Sequence, residues 1–182
     1  MRVFLAVPCG EDFRARLSTA LDPLRDAAGV RWSPPAQYHL TLAFLGEWPE
    51  NRARELQEAL DSGCRPPAFS LDEPRWGAFP SLAAPRVLFV HWEDDAPLRN
   101  LAETVRRQVQ SCWPDSTMDR KPFHGHLTVG RVRHRLAPQA GSWVRGFALP
   151  GLPSVAVEEF RLIRSVRKPQ GAEHTVIDRY SL

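Results

Sequence analysis

Apolar and polar positions alternate along parts of this chain and recur at three- and four-residue spacing along others, the marks of strands and helices respectively. Residues 2–7 are apolar after Arg2 and read as a buried strand. Over residues 11–28, Phe13, Leu17, Leu21 and Leu24 follow helical spacing, with Pro23 expected to kink or interrupt the helix. Residues 37–45 read as a strand closed by Gly46. Residues 50–62 read as a helix with Leu56, Ala59 and Leu60 as its apolar stripe and Gly63 as its stop. Residues 68–76 and 86–92 read as strands, and the segment 77–85 between them, with two prolines, reads as a loop. Asp95 followed by Pro97 starts a helix whose buried stripe is Leu98, Leu101, Val105 and Val109, ended by Pro114. Residues 125–132 form a further strand, and 137–146 a short helix or loop. Residues 155–166 and 174–180 form the last strands, joined by a turn at 168–171.

Strands and helices interleave, but several strand pairs are joined by short links. That favours antiparallel pairing and an α+β class over a doubly wound parallel sheet. No linker rich in Pro, Gly or Ser divides the 182 residues, so one domain spanning 1–182 is expected. The hydrophobic share of 43% and charged share of 25% describe an ordinary globular chain. No apolar run approaches the roughly 18 to 20 residues of a membrane span, so no membrane partner is expected. The short apolar segment 3–7 is followed by an acidic, helix-like stretch, not a cleavage site, and a secretion signal is not expected either. Cys9, Cys64 and Cys112 form no C-x-x-C, which argues against a disulfide framework and a zinc site and favours a reducing, cytoplasmic setting.

The net charge is +3, carried by 22 Arg and only 2 Lys. Arg grips phosphate with a planar fork, so the bias suits RNA or nucleotides, although an Arg-favouring genome produces the same composition.

The chemistry is concentrated in a repeated string. His39-Leu40-Thr41-Leu42 recurs as His126-Leu127-Thr128-Val129, the two separated by close to half the chain. In a strand, side chains alternate between faces, so His and Thr share one face and the apolar residues take the other. Two such strands can surround one substrate with two imidazoles and two hydroxyls. Two ordinary half-buried strands would carry the same string. His124 and His126 form an H-x-H pair, but no carboxylate or Cys pattern beside them suggests a metal. His91, His134 and His174 have no partner pattern and read as ordinary surface or strand histidines.

The flanks of the two strings resemble a known family. Residues 31–35 (Arg-Trp-Ser-Pro-Pro) before His39, with Phe44-Leu45-Gly46-Glu47 after it, look like the first signature of the 2H phosphoesterases. Lys121-Pro122-Phe123 before His126, with Arg131 after it, resembles the second. Residues 2–7, Phe79-Pro80 with residues 85–88, and residues 160–165 with Gly171 extend the likeness over nearly the whole chain. The branch resembled is that of the RNA 2′,3′-cyclic phosphodiesterases, also called LigT-like or ThpR proteins. One departure is Gly125, where the family usually has Pro directly before the second His.

The resemblance implies a bilobal α+β fold: two mainly antiparallel sheets with helices outside, a central cleft and pseudo-two-fold symmetry. It implies hydrolysis of a 2′,3′-cyclic phosphate, on RNA ends or nucleotides, to a 2′-phosphomonoester. His39 would be the general acid and His126 the general base, with Thr41 and Thr128 donating to the non-bridging oxygens. Arg131 sits where the family often carries a phosphate-contacting Arg. Parity turns it to the face opposite His126, unless a bulge or a strand end intervenes; a solvated Arg is the alternative. Phe4 and Phe44 read as apolar packing before base stacking. Two protonatable groups already serve both oxygens, so no metal or other cofactor is expected, nor an obligate protein partner. Joining of RNA ends by the reverse reaction as a 2′-5′ ligase, and RNA binding without turnover, are the alternative functions.

Overall fold

The computed structural model describes residues 1–27, 29–114, 116, 118, 122–169 and 171–182. The expected helix end at Ala28, Lys121 of the second signature and Gln170 of the last turn lie outside the described residues.

Among the described residues, ten strands and four helices follow in the order β1 (Arg2–Pro8), α1 (Glu11–Ala20), β2 (Val30–Trp32), β3 (His39–Glu47), α2 (Ala53–Asp61), β4 (Phe69–Leu71), β5 (Arg75–Phe79), β6 (Val87–His91), α3 (Ala96–Cys112), β7 (His126–Val132), α4 (Pro138–Gly146), β8 (Val155–Val157), β9 (Glu159–Lys168) and β10 (Gly171–Ser181). The architecture is α+β, and every strand pairing among the described residues is antiparallel. The larger sheet runs β10-β9-β1-β3-β7-β6-β5, with β2 also on β7, and β4 and β8 form a second, two-stranded sheet. Two groups of four strands, one built on β3 and one on β7, meet through a single residue pair, Leu40 opposite Leu127. The helices bury their apolar stripes against one face of this sheet. Phe13 and Leu17 of α1, and Leu98, Leu101, Val105 and Val109 of α3, share one core with Val3, Leu5, Leu40, Leu42, Leu127 and Val129. The opposite face carries a much smaller apolar set, Phe4, Ala6 and Ile163, and is left open.

Several elements are shorter than their periodicity suggests. α1 stops at Ala20, and Pro23 enters a separate 3-10 turn at Asp22–Leu24, because a proline ring in mid-helix removes a donor and crowds the preceding turn. Leu21 and Leu24 still reach the core through that turn. The expected strand 68–76 is two strands in different sheets, β4 and β5, separated at Glu73, whose φ is 54°. β5 then continues to Phe79, into the segment expected as a loop. The expected strand 155–166 likewise divides into β8 and β9. β2 is too short to show a period, and only its pairing with β7 defines it.

Candidate active site

The geometry of the cleft starts at the Leu40–Leu127 pair. Both leucines are fully buried and sit between the His and the Thr of their own motif. One antiparallel step to either side places His39 beside Thr128 and Thr41 beside His126, with all four side chains on the open face. The four residues line one cleft of about 970 Å³, with Arg131, Phe4, Phe44, Arg31, Arg167 and His174 also in its walls.

Each catalytic candidate is held the same way. His39 Nδ1 lies 2.6 Å from the Gln37 carbonyl and His126 Nδ1 lies 2.8 Å from the His124 carbonyl. A carbonyl only accepts, so Nδ1 carries the hydrogen and the unprotonated Nε2 is left for chemistry. Burial pushes His39 down from 6.5 to about 4, the Gln37 carbonyl opposing and the charges of His174 and His126 adding to the fall. His126 is lowered mainly by burial, with Arg131 and His124 adding to it and the His124 carbonyl opposing.

Arg131 corrects the parity argument. Leu88 pairs with Gly130 and Phe89 with Thr128, so Val129 has no partner on β6 and forms a bulge. The extra residue resets the alternation: Val129 and Gly130 are both buried, and Arg131 returns to the His126 face and lines the cleft. The same device operates on β3. Leu5 pairs with Ala43 and Ala6 with Thr41, leaving Leu42 as the bulge. Phe44, five residues after His39 as Arg131 is five after His126, therefore faces the cleft and is 49% exposed, with its ring packed 5.8 Å from that of buried Phe4.

Rings brace both imidazoles. Phe4 lies 5.0 Å from His39, and His174 meets the His39 ring edge-on at 5.4 Å. On the other side Phe79 and Phe89 lie 5.2 and 5.5 Å from His126. His174, set aside as ordinary in the sequence, lines the cleft from β10, and its own proton affinity is lowered by burial. Its place follows from its pairing with Ser165 across the β9–β10 hairpin, a register that no local pattern in the sequence announces. Among the described residues no group of three or more His, Cys, Asp or Glu side chains is placed to hold a metal ion. No described helix is long and apolar enough to cross a membrane.

Comparison with known proteins identifies the family and the fold. Residues 7–89 match the LigT like Phosphoesterase family. The chain is 37% identical to the RNA 2′,3′-cyclic phosphodiesterase of Thermus thermophilus, covering 100% of this chain and 90% of the relative. It is 32% identical to the RNA 2′,3′-cyclic phosphodiesterase of Archaeoglobus fulgidus, covering 94% of each. A crystal structure of TT0787 from Thermus thermophilus superposes with a TM-score of 0.77 at 34% identity, covering 100% of this chain and 98% of that one. With paired His-x-Thr strands facing one cleft and this likeness along its full length, the chain belongs to the LigT-like phosphoesterases.

Proposed function

We propose that this protein hydrolyses the 2′,3′-cyclic phosphate of RNA ends or nucleotides to a 2′-phosphomonoester. The observation that carries the reading is the junction at Leu40–Leu127, which turns two imidazoles and two hydroxyls from separate strands into one cleft. Attack at phosphorus runs roughly in line with the departing oxygen, so an acid and a base are needed on opposite sides. His126 Nε2 takes a proton from water as its oxygen bonds to phosphorus. The bond from phosphorus to the 3′-oxygen breaks, and His39 Nε2 gives that oxygen its proton. The product keeps the phosphate on the 2′-oxygen. Thr41, Thr128 and Arg131 donate to the non-bridging oxygens as negative charge builds there. The names of the relatives from Thermus and Archaeoglobus support the substrate class.

In EDTA, purified protein is expected to convert 2′,3′-cyclic AMP to 2′-AMP, with the isomers resolved by chromatography. His39→Ala and His126→Ala are each expected to lose about 10²- to 10⁴-fold in kcat while keeping the folded circular-dichroism spectrum. Formation of 3′-AMP alone, or full activity in either variant, contradicts the assignment.

A further inference from the structure

We propose that Asp95 is a positioning residue for His126, acting through the single peptide unit that joins His124 to Gly125. The inference rests on the reading of His126 as the base. The carbonyl of that peptide unit accepts from His126 Nδ1 at 2.8 Å. Its N–H, on Gly125, donates to Asp95 Oδ2 at 3.3 Å in a buried contact. Asp95 stands at the N-terminal end of α3, where a carboxylate ordinarily caps its own helix, but it makes no side-chain cap bond there. Its second oxygen accepts from Arg99 at 2.6 Å, which fixes the carboxylate's orientation. The side chain is buried, with the residue only 8% exposed. Carboxylate, peptide and imidazole thus form one chain of hydrogen bonds. A charged acceptor on the N–H polarises the peptide and strengthens its carbonyl as an acceptor for Nδ1–H.

The link depends on glycine. Proline, usual at this point in the family resembled, has no N–H to donate. A Cβ at residue 125 would also lie 2.8 Å from Leu98 Cδ2 and 3.1 Å from Asp95 Oδ2, so a side chain there would push on both the Leu98 methyl and the Asp95 carboxylate. The first motif is built differently. The peptide that holds His39 has its N–H on Tyr38, which donates to the neutral Pro35 carbonyl at 3.1 Å. The two imidazoles are therefore symmetric in tautomer and unequal in support: negative charge stands behind His126 and a neutral amide behind His39. A base that becomes an imidazolium as water attacks is the one that gains from a carboxylate held at one remove. Among the described residues, the other groups facing His126 are His91 opposite it on β6, His124, Arg131 along β7, His39 on β3, and the rings of Phe79 and Phe89. None of them is an anion.

Three variants assayed on 2′,3′-cyclic AMP test this. Asp95→Asn keeps an acceptor for Gly125 without the charge, Asp95→Ala removes both, and Arg99→Ala removes only the outer ion pair. Asp95→Asn is expected to lower kcat about tenfold and Asp95→Ala up to about a hundredfold, with KM changed by less than about twofold. The pH optimum of kcat/KM should move to lower pH in both, because the imidazolium loses its supporting charge. Arg99→Ala should lower kcat by less than either Asp95 variant, because the carboxylate and its contact with Gly125 both remain. Parent-like kcat and an unmoved pH optimum in both Asp95 variants overturn the proposal. Should they fail to fold, the unmodified protein decides. Protection of the Gly125 amide from hydrogen exchange and an Nδ1–H tautomer of His126 by ¹⁵N NMR support the link. An amide exchanging as fast as an exposed loop, or the Nε2–H tautomer, overturns it. His126→Ala in the same assay separates the two readings. If it is fully active the base assignment fails; if it is inactive while the Asp95 variants are normal, only this inference fails.

Discussion

Both imidazoles have Nδ1 committed to a backbone carbonyl, so the proposed mechanism exchanges its protons at their Nε2 atoms. Burial holds His39 at about 4 and places His126 below its ordinary value. In the free protein both are therefore mainly neutral at pH 7, whereas the proposed mechanism needs one proton on His39 and none on His126. An anionic phosphodiester between them favours the charged form and raises both values. kcat/KM follows the free protein, so its optimum is expected on the acid side of 6.5, with the kcat optimum, which follows the complex, at higher pH. Coincident optima in the two profiles would contradict this account. The four His and Thr residues were legible in the sequence because their spacing is local and the strand period is fixed. The side of the strand taken by Arg131 was not. A bulge depends on which residues the neighbouring strand presents, and Val129 is apolar like any other buried strand residue.

Strand register also explains how the elements brace the site. β5 and β6 pair so that Gly77 lies opposite Phe89, and the Phe89 ring fills the space of the missing side chain. A Cβ at residue 77 would fall 2.5 Å from Phe89 Cε2, closer than such atoms approach. Phe89 in turn packs on His126 and on Phe79. Gly77→Ala is thus expected to displace the ring. It should cost about 1–3 kcal/mol in urea unfolding, as overpacking of a core does, and lower kcat by moving the wall that His126 rests on. Unchanged stability and kcat would mean that the ring has room to move. The sequence placed a loop here because Pro80 and Pro85 dominate the pattern, yet the strand runs to the residue before Pro80. The splitting of residues 68–76 and 155–166 has a similar origin. β4 and β8 pair with each other away from the main sheet, and their continuations enter it, so one apolar run serves two sheets. Hydropathy records burial and leaves open which sheet provides it.

At the scale of the whole molecule, two four-strand groups meet at one residue pair and leave the opposed faces of β3 and β7 open to a ligand. That open face has a cost in stability which depends on pH. Between 6.5 and about 4 the unfolded chain protonates residue 39 and the folded chain does not, so stability falls as pH falls through that window. Integrated over the window, the share of the loss due to His39 is about 3 kcal/mol; His39→Gln, which does not titrate, should lack that share and keep those of His126 and His174 when urea unfolding is compared at the two ends. The same face gathers charge that composition only hinted at. Arg2, Arg31, Arg131, Arg167 and Lys168 line the cleft, with Glu173 as the one carboxylate among the described lining residues, and Glu173 is paired with Lys168. A net charge of +3 spread over the surface would be a weak attractor, whereas four guanidinium groups around one opening form a local field for phosphates. A mononucleotide engages this field with its one cyclic phosphate, and an oligonucleotide brings further phosphates to the rim. Each added phosphate contact steepens the salt dependence by about 0.7 in log–log slope for single strands. KM for a short RNA ending in a 2′,3′-cyclic phosphate should therefore rise more steeply with salt than KM for 2′,3′-cyclic AMP. Arg167→Ala should flatten the difference without changing kcat on the mononucleotide. Equal slopes for the two substrates would confine recognition to the reacting nucleotide.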